Sequence, residues 1–168
     1  MTLSLKKFFF RRFRKFETHS HTLNYLFWEC TTRCNLNCIH CGSDCSKNSS
    51  HPDMLIADFL RAVDTIKNPS RDFTVVFTGG EPLLRNDIEL CGRELRKRGL
   101  RWAIVSNGML YYEQRHISLL NAGMGALTLS LDGLAESHNW LRNSSSSFER
   151  VSQAINLAAS SSRLNFDV

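Results

Sequence analysis

The chain has 168 residues, enough for one domain with its own core. It is 42% hydrophobic and 22% charged and has no run of about 18 apolar residues, which argues against a disordered chain and against a transmembrane helix. The net charge of +5 is concentrated in the opening LKKFFFRRFRKF. Without the six Lys and Arg of that stretch, 15 basic residues face 16 acidic ones, too even a balance for a broad nucleic-acid-binding face.

Residues 1–22 read as a basic, Phe-rich terminal extension, and residues 23–168 as the folded core. Such an arm suits an anionic membrane surface or an acidic partner. It does not read as a signal peptide, because FFF is too short for the apolar segment and charges follow at once. The expected setting is therefore reducing and cytoplasmic. Clustered cysteines there bind metal or do redox chemistry more often than they form disulfides.

Beyond the arm, strand and helix patterns alternate. LNYLFW (23–28) reads as a strand. Residues 53–66 place Leu55, Ile56, Phe59, Leu60, Val63 and Ile66 on one helical stripe. FTVVF (73–77) is a short continuous apolar run, as in a strand buried on both faces. NDIELCGRELRKRG predicts a helix with Asn86 as N-cap and Gly99 as its stop. RWAIV (101–105) is a strand, YEQRHISLLNAG a helix ending near Gly123, and ALTLSL (126–131) a strand. SSFERVSQAINLAA is a helix, with Ser146 and Glu149 spaced as a capping box. LNFDV opens another strand, so a barrel of this kind would be incomplete at Val168. Strands beginning near residues 73, 101, 126 and 164 match βαβ units of roughly 30 residues and hence a parallel sheet.

Each distinctive motif follows one of these strands. The thiols follow the first, TGGEPLLR (78–85) the second, and SNG (106–108) the third, while SLDG (130–133) closes the fourth. In parallel α/β folds the carboxyl ends of the strands share one face, where ligands bind. The four motifs should therefore meet at one site.

Five of the six cysteines lie in CTTRCNLNCIHCGSDC, Cys30 to Cys45. Cys34, Cys38 and Cys41 have the spacing C-x3-C-x2-C, short enough to wrap one small inorganic centre. Three thiolates can hold three irons of a [4Fe–4S] cluster and leave the fourth open. The rival is a structural zinc site built from Cys34, Cys38, Cys41 and Cys45. Against it, zinc sites usually join two separated pairs, and zinc leaves GGEP and SLDG unexplained. A c-type haem attachment fails because Gly42, not His, follows the C-x2-C pair. A thioredoxin-like redox pair lacks its usual helix-opening context. Cys30 and Cys45 read as non-ligands and Cys91 as a core residue. His19, His21, His51, His116 and His138 form no ligand-spaced group.

C-x3-C-x2-C after a first strand, followed by Gly79-Gly80-Glu81-Pro82 and Ser130-Leu131-Asp132-Gly133, resembles the radical S-adenosylmethionine (radical SAM) superfamily from about residue 23 to the end. It is most similar to the peptide- and protein-modifying branch that carries a SPASM region, which includes sulfatase-maturating enzymes. The resemblance implies an α/β fold, a partial (β/α) TIM-like barrel cut after about four βα units. It also implies one oxygen-sensitive [4Fe–4S] cluster on Cys34, Cys38 and Cys41, whose open iron chelates SAM. Reductive cleavage would then give a 5′-deoxyadenosyl radical that abstracts hydrogen from a substrate, here a peptide or protein side chain. An electron donor such as a flavodoxin or ferredoxin is implied as well.

By the same resemblance, the Gly79–Gly80 backbone receives the SAM ammonium and leaves room for it, and Glu81 braces that turn. Ser130 and Arg142 hold the SAM carboxylate, Asn107 reaches its ribose or methionine part, and His40 lies beside adenine. Asp132 caps its own turn. The family's GxIxGxxE-like segment and auxiliary-cluster cysteines do not occur in these 168 residues. A non-catalytic, cluster-binding fragment is therefore the other expectation.

Overall fold

The computed structural model describes every residue except Met1, His21, Asp44, Ser50 and Asn68, and leaves the side chains of Thr2, Leu3, Ser4, His19 and Ser20 undescribed. The expectations for His19 and His21 thus lie outside the described residues. Five strands form one parallel sheet in chain order: β1 (Tyr25–Thr31), β2 (Thr74–Gly79), β3 (Arg101–Ser106), β4 (Ala126–Leu129) and β5 (Asn165–Asp167). Parallel neighbours need crossovers, and helices supply them. These are α2 (Ile56–Asp64), α3 (Ile88–Lys97), α4 (Glu113–Asn121) and the pair α5 (Ala135–Arg142) and α6 (Ser147–Ala159). The architecture is the expected α/β partial barrel.

The register explains the core. Trp28, Phe77, Ile104, Leu127 and Phe166 are successive partners across the sheet and form one apolar row. The helices cover this face with Ile56, Phe59, Leu60 and Val63 of α2, Leu95 of α3, Leu119 of α4 and Val151 of α6. Phe59 stacks on Trp28 at 3.6 Å, and Phe77 meets Trp102 edge-on at 5.4 Å. The next row, Phe27, Val76, Ala103, Ala126 and Asn165, points the other way. It lines an open cavity of about 750 Å³ on the uncovered face.

Arg85, from the predicted TGGEPLLR segment, is a buried brace. It forms a bidentate pair with Asp87 (2.8 Å for both bonds) and donates to the carbonyls of Cys30 (2.8 Å) and Met54 (3.0 Å). It also lies 5.3 Å from the Trp28 ring. One guanidinium thus ties β1 to the starts of α2 and α3.

Two capping expectations are corrected. Helix α3 starts one residue late, with Asp87 rather than Asn86 at the N-cap, and Asp87 makes no capping bond because Arg85 holds its carboxylate. Ser146 is the N-cap of α6 but bonds no helix N–H. Instead, Asn139 of α5 accepts from the Phe148 N–H (2.8 Å) and the Ser147 hydroxyl (3.0 Å), so the cap comes from the neighbouring helix. Gly99 (φ +74°) does end α3.

The basic arm is a helix, α1 (Thr2–Ser20), and its side chains from Leu5 to Thr18 are exposed. Among the described residues, no helix is long and apolar enough to cross a membrane.

Gly92 sits where α3 crosses β3. A Cβ there would lie 2.3 Å from the Trp102 ring. Gly to Ala inside a helix usually stabilises by about 1 kcal/mol. Here the overlap wins, and Gly92→Ala lowers unfolding free energy by about 2 kcal/mol in denaturant titration. A variant as stable as the parent would show that this contact yields without cost.

Candidate functional site

The four motifs meet at the carboxyl edge of the sheet. Cys34, Cys38, His40, Cys41, Gly42, Cys45, Thr78, Gly79, Gly80, Val105, Ser106, Asn107, Ser130 and Arg142 line one cavity of about 230 Å³. Of the expected site residues only Glu81 is missing from the wall; it lies behind it.

The cysteine loop is fastened on three sides. The Gly80 and Glu81 N–H groups donate to the carbonyls of Thr31 (2.8 Å) and Arg33 (2.9 Å). The Cys34 N–H donates to Ser46 O (2.9 Å), and the Ile39 N–H to Leu141 O of α5 (2.9 Å). This settles what the two glycines do. Cβ atoms on Gly79 and Gly80 would meet Thr31 O at 2.3 Å and Arg33 O at 2.1 Å. The space a Cβ would take at each is thus filled by the backbone of the cysteine loop, and both glycines also border the cavity. Gly79, at φ +121°, also needs a conformation that other residues avoid.

Glu81 is fully buried. Its Oε1 accepts from the Leu83 N–H (3.1 Å) and the Ser106 hydroxyl (2.9 Å), and its Oε2 from the Asn107 N–H (2.9 Å). Burial pushes its carboxyl up, and these three donors oppose the shift. The residue braces more than its own turn, because it joins the loop after β2 to the loop after β3.

Asn107 relays that connection to the thiols. Its Oδ1 accepts from the Met109 N–H (2.9 Å), a turn closed by Gly108 at φ +80°. Its Nδ2 donates to Asn35 (2.8 Å) and points at Cys34 Sγ (3.8 Å). The Leu36 N–H is 3.5 Å from the same sulfur. In this structure Asn107 therefore holds the cysteine loop rather than facing freely into the cavity.

Arg142 is not a solvated surface residue. Its Nε and Nη2 form a bidentate pair with Asp132 (2.6 and 3.0 Å), and its Nη1 lies 3.8 Å from Cys38 Sγ. Asp132 does not cap its own turn, as expected from sequence, but anchors this arginine. The exposed His40 Nε2 lies 3.8 Å from the same carboxylate. Nδ1 of the buried His138 lies 3.2 Å from the Asp132 N–H and 3.4 Å from the Asp132 carboxylate. Burial, aided by Arg142, holds the His138 pKa down. Asp132, Asn35 and His138 were missed from sequence because their partners lie in other elements.

The thiols differ in environment. Cys34 is buried, Cys38 half-buried and Cys41 exposed, and all three face the cavity. Burial pushes Cys34 up, against the Leu36 N–H. Burial also pushes Cys30 and Cys91 up to about 12, and Cys45 to about 11. Cys30 and Cys91 pack in the core; Cys45 borders the cavity. Among the described residues, no three His, Cys, Asp or Glu side chains are gathered closely enough to form a ready-made metal site. Four sulfurs border the cavity, and N–H donors face those of Cys34 and Cys38.

The model of the Radical SAM superfamily matches residues 28–165. An AdoMet-dependent heme synthase of Methanosarcina barkeri is 31% identical over 125 residues, which is 74% of this chain and 36% of the relative. A GTP 3′,8-cyclase of Synechococcus sp. is 36% identical over 122 residues, 70% of this chain and 34% of that enzyme. The chain thus spans about a third of the length of the curated relatives it matches. Among solved structures, anSMEcpe with bound AdoMet superposes with a TM-score of 0.67 at 23% identity, covering 86% of this chain and 42% of that one. Streptococcus suis SuiB bound to its precursor peptide SuiA gives 0.64 at 21% identity, covering 86% and 32%.

Glu81→Ala would leave the Leu83 and Asn107 N–H groups and the Ser106 hydroxyl without partners. At about 1–3 kcal/mol for each orphaned group, it lowers unfolding free energy by about 3 kcal/mol or more, whereas Glu81→Gln costs less. Equal stability of the alanine variant and the parent in denaturant titration would contradict this role. The pH dependence has a definite sign. His138 and His116 are both held below the ordinary histidine value by burial, so the unfolded chain binds protons first. Their contribution is complete above about pH 6.5 and is lost as pH falls through the lower folded values, by up to about 1.4 kcal/mol per pH unit for each ring. A denaturation midpoint that stays constant from pH 7 to 5 would contradict it.

Proposed function

The chain belongs to the radical SAM superfamily, and we propose that it uses the cavity at the sheet edge to bind a [4Fe–4S] cluster on Cys34, Cys38 and Cys41 together with S-adenosylmethionine. The observation that supports this best is the convergence of three thiols, the Gly79–Gly80 turn, Ser130 and Arg142 on one cavity. When bound, the cluster supplies one electron to SAM, whose cleavage gives methionine and a 5′-deoxyadenosyl radical that abstracts hydrogen from substrate.

This chain's residues bind and orient. Arg142 is held by Asp132 on two nitrogens and keeps its third toward Cys38 and the cavity. That N–H and the Ser130 hydroxyl are the donors for the SAM carboxylate. The Gly79–Gly80 backbone faces the ammonium, and His40 borders the adenine. Glu81 and Asn107 act at one remove by fixing the cysteine loop. A flavodoxin- or ferredoxin-like donor would provide the electron.

For the substrate, a peptide or protein side chain is the first reading, supported by fold likeness to SuiB bound to SuiA. A small molecule is the second, favoured by the 31% and 36% identities to proteins named as a heme synthase and a GTP cyclase.

The test is anaerobic reconstitution with iron and sulfide. The account expects about four irons per chain and release of 5′-deoxyadenosine on adding SAM and dithionite. Iron without cleavage would identify a non-catalytic cluster carrier, and zinc without iron would overturn the site. Cys38→Ala should lose the cluster yet keep its circular dichroism; full iron retention would contradict the ligand assignment. Arg142→Ala should weaken SAM binding about tenfold or more at unchanged iron content. Unchanged affinity would remove Arg142 from the SAM site.

A further inference from the structure

The site described so far makes no use of α1. This 19-residue helix carries Lys6, Lys7, Arg11, Arg12, Arg14 and Lys15, and its first acidic residue is Glu17. Leu5, Phe8, Phe9, Phe10, Phe13 and Phe16 are each 57–74% exposed, far more apolar surface than an isolated exposed side chain presents.

The distribution around the helix is decisive. At about 3.6 residues per turn, Leu5, Phe9, Phe13 and Phe16 share one stripe, with Phe8 and Phe10 beside it. Lys7, Arg11, Arg14 and Lys15 occupy the opposite side. Lys6 falls between Phe13 and Phe10, and Arg12 between Phe8 and Leu5, so both flank the stripe, where a long side chain can lay its stem on an apolar surface and keep its charge in water. Glu17 lies beside Phe10 and pairs with Arg14 (3.6 Å). The helix is too charged to cross a bilayer, and its polar face carries Lys7, Arg11, Arg14 and Lys15 with Thr18.

We infer that α1 is an interfacial membrane-binding helix, which lies in the headgroup region of an anionic bilayer with its Phe stripe directed toward the acyl chains. Two features match that occupant. The border cations sit at headgroup height when the stripe is buried by about 5–10 Å. The absence of acid before Glu17 removes repulsion from a negative surface. An acidic protein would satisfy the charges, but it would leave six large apolar side chains to be covered by some further groove. The helix would bring an otherwise near-neutral catalytic domain to a membrane surface, where an apolar substrate or a membrane-bound electron donor resides.

The test is flotation of the full chain with vesicles of phosphatidylcholine alone and of phosphatidylcholine mixed with phosphatidylserine. Binding to the mixed vesicles is expected, at least about tenfold weaker on the neutral ones and weakened by salt. Phe9→Ser with Phe13→Ser should reduce binding at least about tenfold, with the circular dichroism of the core retained. These side chains are exposed, so the variant is expected to fold. Failure to float with the mixed vesicles would overturn the inference. So would equal binding by the Phe variant, or binding to polyglutamate as strong as to vesicles, which would assign the helix to an acidic macromolecule. A large loss of stability in the Phe variant would instead show the stripe docked on the protein.

Discussion

The site depends on one buried carboxylate. Glu81 lies at the end of β2, out of contact with solvent, and accepts from donors on its own turn and on the turn after β3. A carboxyl group in so dry a place is tolerated only when it is hydrogen-bonded. The two turns are therefore held in one relative position. The neighbouring Gly80 and Glu81 N–H groups pin the start of the cysteine loop, and Asn107, itself fixed by Glu81, pins Cys34. The thiols are thus positioned by backbone and side-chain bonds of the protein itself. Outer contacts of this kind orient ligands and tune a metal centre.

A second chain of contacts runs from α5. His138 contacts Asp132, Asp132 grips Arg142, and Arg142 reaches Cys38. The arginine is thereby held in one position at the wall of the cavity. Both networks end on thiols that border the cavity at the carboxyl edge of the sheet.

Much of this was legible in the sequence. The apolar run at 73–77 and the helical stripe at 56–63 carry their own periodicity, and the motifs after each strand announce a shared edge. The three-thiol spacing is local and survives any error in the helices. Long-range side-chain choices were not legible. The α6 cap is given by Asn139 and not by Ser146, and Asp87 is claimed by Arg85 before it can cap α3. Asp132 looked like a turn residue because its partner is ten residues away on a helix, α5, that has no clear apolar stripe. The sequence did not show that the chain's own Thr31–Arg33 backbone takes the space beside Gly79 and Gly80 where a Cβ would lie. Periodicity reports which face is buried. It does not report which of several polar neighbours wins a given hydrogen bond.

The central claim is that three protein thiolates hold the cluster and leave one iron free for SAM. Electron paramagnetic resonance of the reconstituted, reduced chain, recorded before and after adding SAM, tests this most directly. The account predicts the signal of a single reduced [4Fe–4S] cluster whose g-values shift when SAM is added. A cluster signal indifferent to SAM, or no cluster signal after full reconstitution, would contradict it.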